Sequence, residues 1–457
     1  MNSQKRLGEM KIGKLILEFS IPAIIGMLVN TLYNIIDRIF IGHIEGIGNL
    51  AMAGVGITMP LMFVILAFGM LIGIGTATRI SIKLGQHDKE GAEKHLGNAF
   101  TLIIITSIIL TAFGLAFSNP LLKMFGASEN IIGYGEQFIQ VIFIGCIFNL
   151  ISFSLNHSIR SDGSPKIAMA SMLISAIINI ILDPIFIFGL GLGVRGGALG
   201  TVVAQIISSI WIIYYFTKGS STLKIRRKNL KLDKSVVLSI FAIGISPFSM
   251  QIAQSAVQIV CNNSLQTYGG DLAVGAMTII NSLAMVFFMP IFGLNQGLQP
   301  IIGYNFGAEK HDRVKQTVKY GIIIATIIVT VGFIVIEGFS EALVIIFNND
   351  PSLIEITSHG MKIFLIMMPV VGGQVIATNY FQSIGKVKIS MFLSLLRQVI
   401  ILVPCLIIIP RFIGLDGVWA AGAVSDFLSV LITIAVFLKV TKETVKIKEE
   451  KRVILED

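Results

Sequence analysis

The chain repeatedly runs for about twenty residues with hardly a charged side chain. A run of about 18 such residues is long enough to cross a bilayer as a helix. Hydrophobic residues make up 54% of the chain and charged residues only 13%, against about 25% charged in soluble domains. A soluble protein of this size needs a polar exterior that this composition does not supply. The sequence therefore predicts an all-α polytopic membrane protein.

Charged residues, glycines and prolines divide the apolar sequence into twelve predicted spans. Several exceed the ~20 residues that a span needs, which indicates tilt or extension beyond the bilayer. Spans 1 to 6 are predicted at residues 15–41, 52–83, 95–117, 130–159, 167–188 and 197–216. Spans 7 to 12 are predicted at residues 235–266, 272–304, 316–338, 354–382, 389–410 and 417–439.

The distribution of positive charge predicts the orientation. If the N-terminus lies inside the cell, 29 of the 35 Lys and Arg residues fall in the N-terminal arm, the inner loops and the C-terminal tail, and five fall outside. Inner loops carry such an excess, so we expect a cell-membrane protein with both termini in the cytoplasm. The net charge of +9 does not indicate nucleic-acid binding, because the basic residues are not interleaved with stacking aromatics.

The second half of the sequence repeats the first about 222 residues later. The segment RSDGSPKIAM at 160–169 lines up with QSIGKVKISM at 382–391, as expected of an internal duplication. Six spans per half keep both halves in the same orientation, so a pseudo-twofold axis along the membrane normal relates them. The matched positions include Pro22 with Pro247, Gly85 with Gly307 and Gly163 with Gly385.

This repeat predicts two bundles of six transmembrane helices. The longest polar stretch, KGSSTLKIRRKNLKLDK, lies between spans 6 and 7 and is typical of a linker. A central cavity between two such bundles is the usual setting for alternating access. We expect an N-terminal lobe over 1–217, a cytoplasmic linker over 218–234, a C-terminal lobe over 235–440 and a cytoplasmic tail over 441–457.

A set of short motifs supplies more specific information. They are SIP at 20–22, IDRIFIG at 36–42, GTATR at 75–79 followed by LG at 84–85, LDPIFIFG at 182–189 and GLQPIIGYNFG at 297–307. In this order, within a twelve-span double repeat, they resemble the multidrug and toxic compound extrusion (MATE) transporters over nearly the whole chain. The resemblance is closest to prokaryotic members with acids in the N-terminal lobe. It implies a V-shaped pair of bundles that exports organic, often cationic compounds in exchange for inward H⁺ or Na⁺.

Two acids inside predicted spans are the strongest functional candidates, Asp37 in span 1 and Asp183 in span 5. Ionisable groups in a bilayer are costly and mark functional sites. Both lie about five residues from the outer end of their spans, at a similar depth. Asn30, Asn34 and Asp37 share one helical face, and Asn179 and Asp183 share another.

Carboxylates and amides that converge in a low dielectric have two uses. They share a proton between like charges, or their oxygens surround a hard cation such as Na⁺; the sequence leaves both open. The resemblance implies cation binding at Asp37, Asn179 and Asp183 and at Thr201 on span 6. A structural alternative pairs Asp37 with Arg38, although adjacent helical residues do not face each other. In the same alternative Asp183 only caps or kinks its helix at the following proline.

The second half has lost both acids. In the repeat, Asp37 corresponds to Asn262 and Asp183 to Val403. Some MATE transporters also carry acids on spans 7 and 10, where this chain has QIAQS at 251–255 and PVVGGQ at 369–374. This departure concentrates the predicted ion coupling in the N-terminal lobe.

The second half carries amides instead, which we interpret as lining for a substrate cavity. Thioethers and aromatics fit many shapes and attract cations, although interhelical hydrogen bonding is an equally simple use of amides in membranes. The candidates are Gln251, Gln254 and Gln258 on span 7, Asn281 and Met285 on span 8 and Gln374 on span 10.

Three further residues have predicted structural or gating roles. Arg397 in span 11 and Asp426 in span 12 are expected to form an ion pair, because an unpaired charge there is costly; a substrate role for Asp426 is the alternative. Pro22 removes a backbone hydrogen bond inside span 1. It either kinks the span in response to Asp37 or is a fixed kink.

The combined prediction is a secondary active antiporter for amphipathic, often cationic drugs. We expect no cofactor apart from H⁺ or Na⁺ as coupling ion, small molecules and membrane lipids as partners, no nucleic acid and a monomer. No nucleophile with a base, metal cluster or phosphate-binding loop indicates an enzyme. The three cysteines lie in apolar runs without C-x-x-C spacing, so no disulfide or metal site is indicated.

Three other kinds of membrane protein are alternatives. A lipid-linked oligosaccharide flippase of the same superfamily shares the repeat but commonly has fourteen spans. A major-facilitator carrier has twelve, but its Gly-x-x-x-Asp-Arg loop is absent, since residues 84–91 read LGQHDKEG. A channel is disfavoured because no filter motif is present.

Overall fold

The computed structural model describes residues 3–347 and 350–456. For residues 3–5, 49, 271 and 441–456 it describes the backbone alone. Within these residues the chain is helical and has no β-strand. Ten helices are long and apolar enough to cross a membrane, and two bent helix pairs bring the number to twelve. These segments match the predicted spans one for one, which confirms the predicted all-α polytopic fold.

The spans extend further than predicted at most of their ends, and the short helix Ser3–Glu9 precedes them. Spans 1 to 6 are Ile12–Gly42, Leu50–Gly85, Lys89–Met124, Glu129–Ile144 with Cys146–Ser161, Pro165–Gly189 and Val194–Thr217. Spans 7 to 12 are Lys234–Gly270, Leu272–Gly307, His311–Ile345, Pro351–Leu365 with Met368–Ser383, Val387–Ile413 and Leu415–Val440.

Spans 4 and 10 are sharply bent, which the sequence did not predict. Their two helices meet at 59° in span 4 and at 48° in span 10. The break in span 4 falls at Gly145, where the side chain of Val202 from span 6 occupies the space that a Cβ atom would need. Because span 10 corresponds to span 4 in the internal repeat, the bend is a feature of both halves of the chain.

The duplication is also visible in the backbone dihedral angles. Gly163 (φ 86°) and Gly385 (φ 75°) form the turns after spans 4 and 10. Glycine adopts this left-handed conformation without the penalty that a Cβ atom brings. Three more pairs with positive φ recur at the offset of the sequence repeat: Gly46 with Gly270, His87 with Glu309, and Gly193 with Gly414.

The helices form two compact units. The first contains the residues up to Ser255, Phe292–Thr317 and Gln382–Val387. The second contains Ala256–Ile291, Val318–Phe381 and the residues from Lys388 onward. The first unit therefore holds the six spans of the predicted N-terminal lobe together with the first part of span 7 and the last part of span 8.

Glycines bring the helices of the first unit into backbone contact. A Cβ atom at Gly85 of span 2 would collide with the carbonyl oxygen of Tyr304 in span 8. In return, a Cβ atom at Gly307 of span 8 would collide with the carbonyl oxygen of Ile82 in span 2. Small residues allow such close approach where no hydrophobic effect drives association. Spans 2 and 7 make a second reciprocal contact of this kind through Gly75 and Gly244.

Pro22 lies buried inside span 1, and span 8 packs against the helical turn that contains it. A Cβ atom at Gly293 would lie 2.6 Å from the Cα of Ile24, and one at Gly297 would lie 2.7 Å from the Cα of Ser20. The proline removes one intrahelical hydrogen bond, and the two glycines allow span 8 to support the weakened turn directly.

The polar segment 218–234 packs on the beginning of span 3. Buried Glu93 accepts a hydrogen bond from Nε of Arg226 at 2.6 Å. The side-chain carbonyl of Asn98, which is also buried, accepts from the backbone N–H of Asp233 at 2.8 Å. The segment is thus attached to the first unit at both its middle and its end.

Replacing Gly75 by Ala is expected to lower the melting temperature of the detergent-solubilised protein, because the new Cβ atom would collide with the carbonyl oxygen of Ile240. In a helix interior the same change otherwise stabilises by roughly 0.5–1 kcal/mol. Gly133, which has open space around it, is the control, and Gly133→Ala should melt at the same or a higher temperature. Equal melting of the two variants would contradict the close contact of spans 2 and 7.

Candidate cation-coupling site

Asp37 and Asp183 come together between spans 1 and 5. Both residues are buried, with exposed fractions of 8% and 0%, and their carboxylate oxygens border the same stretch of span 6, at Gly197 and Gly200. The two spans approach closely because Gly26 of span 1 leaves room for the side chain of Met172 in span 5. The structure therefore brings together the two acids that the sequence singled out.

Asn179 and Thr201 complete this cluster. Asn179 lies one turn before Asp183 and donates its Nδ2 to Asp183 Oδ1 at 2.9 Å. The same nitrogen lies 3.3 Å from the hydroxyl oxygen of Thr201 on span 6. Asn179 is buried, with 1% of its surface exposed. Three spans thus contribute to one polar cluster.

The cluster offers more acceptors than donors. Asp37 Oδ1, Asp183 Oδ2 and Asn179 Oδ1 are buried and have no hydrogen-bond partner among the residues that the structure describes. Ionised carboxylates are acceptors only, so the two acids cannot satisfy these oxygens by hydrogen bonding to each other. Buried unpaired acceptors and like charges are both costly. A proton or a hard cation held by oxygen ligands satisfies both needs.

The beginning of span 6 leaves space for both carboxylates. A Cβ atom at Gly197 would lie 3.1 Å from Asp37 Oδ1, and one at Gly200 would collide with Asp183 Oδ1. The spacings Gly193-x-x-x-Gly197 and Gly196-x-x-x-Gly200 are typical of close helix packing. Their contact with the acids could not be found from spacing, because it depends on which neighbour each glycine faces.

The backbone of span 5 changes its winding directly after the acid. Residues Ile185–Gly189 form a π-helical turn that follows Pro184. Gly196 of span 6 lies against this turn, since its Cβ atom would be 2.6 Å from the carbonyl carbon of Phe186. Single π turns are frequent at functional sites. Here the turn allows the glycines of span 6 to reach span 5 next to Asp183.

The structural alternative that pairs Asp37 with Arg38 does not describe the position of the Arg38 side chain. The Nη2 atom of Arg38 contacts Sδ of Met59 at 3.6 Å, so its guanidinium group is directed to span 2. Asn34, which was predicted to join the site, is exposed and donates to the carbonyl oxygen of Asn30 at 2.7 Å. The structure does not bring Asn34 to the buried oxygens.

The amides and the thioether predicted to line a substrate cavity lie in different environments. Gln251 and Gln374 are buried, while Gln254 and Gln258 are exposed. Gln258 donates to the side-chain oxygen of Asn262 at 2.9 Å. Gln251 and Gln254 belong to the first unit, and Gln258, Asn281, Met285 and Gln374 belong to the second. Their shared role in a cavity stays a prediction.

Arg397 and Asp426 pair as expected. Nε of Arg397 donates to Asp426 Oδ1 at 2.6 Å, and Ser425 donates its hydroxyl to the carbonyl oxygen of Arg397 at 2.8 Å. Arg397 lies in a second π-helical segment, Leu396–Leu402 of span 11. The pair neutralises both charges within the second unit.

The sequence analysis did not single out Glu136, an acid inside span 4. Glu136 of span 4 accepts hydrogen bonds from Gln140 at 3.0 Å, Asn119 at 3.2 Å and Ser118 at 3.4 Å. Its position inside a predicted span was the available signal. Three neutral donors solvate this carboxylate, so it contrasts with the acceptor-rich pair of Asp37 and Asp183.

Removing one partner of the Arg397–Asp426 pair is expected to destabilise the protein. Arg397→Met leaves Asp426 unpaired at a site that is only 14% exposed; the expected cost is about 1–3 kcal/mol, between exposed and buried ion pairs. The double variant Arg397→Met with Asp426→Leu should recover most of the loss. Thermal melting measures both, and a double variant as unstable as the single one would contradict a mainly structural role.

Comparison with known proteins finds relatives over nearly the whole chain. The MatE family model matches the chain twice, over residues 22–185 and 248–407. The multidrug export protein MepA of Staphylococcus haemolyticus (strain JCSC1435) is 30% identical over 447 residues, which cover 96% of this chain and 97% of that protein. MepA of Staphylococcus aureus (strain N315) is 30% identical over 439 residues, which cover 95% and 96%.

Solved structures share the fold. A MOP superfamily transporter from Pyrococcus furiosus superimposes with a TM-score of 0.90 at 24% identity, over 96% of this chain and 98% of the other. An outward-facing multidrug resistance MATE family transporter gives 0.91 at 24% identity, with the same coverage. The two family matches fall on the two halves of the internal repeat and together span well over half of the sequence. The chain therefore belongs to the MatE family of membrane transporters.

Proposed function

We propose that this protein is a secondary active antiporter that exports amphipathic, often cationic organic compounds in exchange for inward movement of H⁺ or Na⁺. The observation that carries the proposal is the acceptor-rich cluster of Asp37, Asp183, Asn179 and Thr201. The names of the relatives, multidrug export proteins, support the substrate class. The coupling ion is a transported substrate in this scheme, and no cofactor takes part.

The cluster has the composition that reversible cation binding requires. Two carboxylates carry the charge, and the Asn179 carbonyl and the Thr201 hydroxyl add neutral oxygens. The unpaired oxygens of both acids and of Asn179 are the ligands for the ion. Burial makes the empty, doubly ionised state costly. Uptake of a proton or Na⁺ therefore lowers the free energy of the first unit. Ion binding is therefore able to bias its conformation.

In the proposed cycle the cluster takes up the ion from outside, the first unit rearranges, the organic compound leaves outward and the ion is released inside. One charge that moves down about 150 mV supplies roughly 3.5 kcal/mol. This free energy sustains a concentration ratio of a few hundredfold for a neutral compound. One ion for each exported molecule is therefore enough for useful efflux.

We assign the protein to the cell membrane, as a monomer with both termini in the cytoplasm. The orientation rests on the excess of Lys and Arg at one set of helix ends. The attachment of segment 218–234 to the beginning of span 3 agrees with it, because both then lie on the same side of the membrane. Twelve spans and the paired acids favour drug export over flipping of lipid-linked oligosaccharides.

Replacing Asp37 by Asn is expected to abolish ion-driven efflux of a fluorescent organic cation, because one of the two charges that attract the ion is lost. Efflux in inverted membrane vesicles, with pH and Na⁺ gradients imposed separately, measures the effect and identifies the ion. Glu136→Gln is the matched control, since it also removes a carboxylate from a span of the first unit but leaves the cluster intact. Undiminished efflux in Asp37→Asn would refute the assignment of the site.

Replacing Gln254 by Ala is expected to change which compounds are exported more than the ion dependence of export. The residue is exposed on span 7 and belongs to the predicted cavity, where an amide selects among substrates by hydrogen bonding. The ratio of efflux rates for several organic cations should shift by about threefold or more, or roughly 0.7 kcal/mol. Loss of ion-driven efflux for every compound would contradict the separation of substrate and ion sites.

A further inference from the structure

The beginning of span 6 has three glycines that face three different neighbours. A Cβ atom at Gly196 would come nearest to the backbone of span 5, at 2.6 Å from the carbonyl carbon of Phe186. A Cβ atom at Gly197 would meet Asp37 Oδ1 at 3.1 Å, and one at Gly200 would collide with Asp183 Oδ1. Two of the three positions therefore border carboxylates and the third borders packed backbone.

We propose that Gly197 and Gly200 are positioning residues for the coupling ion: they form a side-chain-free surface that sets where the Asp37 and Asp183 carboxylates lie. This inference rests on the proposed function of the acid pair and adds the residues that determine its geometry. Gly197, Gly200 and Thr201 are spaced i, i+3 and i+4, so they share one face of span 6. This face of span 6 therefore leaves space for the two carboxylates and supplies the hydroxyl oxygen of Thr201.

The chemistry of this surface explains why glycine is needed there. Gly200 lies inside the helix, where its backbone N–H bonds to the carbonyl four residues earlier, so at this position span 6 gives Asp183 space and no backbone donor. Asp183 can then keep its Oδ1 on the amide of Asn179 at 2.9 Å, with Oδ2 unpaired. A methyl group at Gly200 would displace Oδ1 from that hydrogen bond. The carboxylate would turn, and the oxygens would no longer converge on one ion.

Close helix packing is the simpler explanation of glycines in a membrane span, and Gly196 allows the two explanations to be separated. Gly196 is adjacent to Gly197 on the same helix, and its Cβ atom would collide with backbone that carries no ligand. If all three glycines serve packing alone, alanine at each should reduce stability and leave ion affinity unchanged. If Gly197 and Gly200 position the acids, only alanine at these two should weaken ion binding.

The experiment measures efflux by the purified full-length protein in proteoliposomes as a function of the concentration of the driving ion, H⁺ or Na⁺. Gly200→Ala is expected to raise the half-maximal ion concentration about tenfold or more, which corresponds to about 1.4 kcal/mol. Gly197→Ala should raise the half-maximal ion concentration about threefold, because its new Cβ atom would lie farther from the nearest carboxylate oxygen, at 3.1 Å. The half-saturating concentration of the organic cation should stay within about twofold in both.

Gly196→Ala should lower the melting temperature and keep the ion dependence within about twofold of the unchanged protein. If Gly200→Ala does not fold, Gly197→Ala decides the question by the same measurement. An unchanged ion dependence in the folded variants, or an equal change in Gly196→Ala, would overturn the inference. If Asp37→Asn retains ion-driven efflux, the proposed function itself fails; if it loses efflux while the glycine variants keep normal ion dependence, only this inference fails.

Discussion

Two carboxylates that lie buried against each other need a positive charge, and this requirement explains most of what is unusual in the first unit. In the described part of the chain, the amide of Asn179 donates to Asp183, while Asp37 Oδ1 has no hydrogen-bond partner. The two acids come from helices far apart in sequence, so the fold itself holds the like charges together. An arrangement that costs free energy when empty is well suited to couple binding of an ion to a change of conformation.

The close approach of helices makes this arrangement possible. Glycines on spans 1, 2, 6, 7 and 8 bring neighbouring backbones or side chains nearer than a Cβ atom would allow. In a bilayer, packing gains little from the hydrophobic effect, so small residues and interhelical hydrogen bonds take its place. The glycines of span 6 differ from the others because two of them border charged oxygens. Gly196 and Gly200 are four residues apart but have different neighbours. Gly196 packs against backbone, and Gly200 leaves space for the Asp183 carboxylate.

The sequence predicted the spans and the two acids because both depend on strong local signals. Long uncharged runs have a definite meaning in a bilayer, and a rare charge such as Asp183 inside such a run stands out. The bends of spans 4 and 10, the direction of the Asn34 side chain and the contacts of Gly200 could not be predicted. Each depends on which neighbouring helix a residue faces, and periodicity places a residue on a face without identifying what covers it.

The two halves of the repeat share features of the backbone but differ in the polar residues inside their spans. The left-handed turns at Gly163 and Gly385 recur in both halves, and spans 5 and 11 each contain a π-helical segment. In span 5 that segment follows an acid whose neighbours leave it short of positive charge. In span 11 it contains Arg397, whose charge is met by Asp426 at 2.6 Å. The second half therefore pairs the charge of Arg397 within the chain, whereas under the proposed function an ion from solution takes the corresponding place beside Asp37 and Asp183.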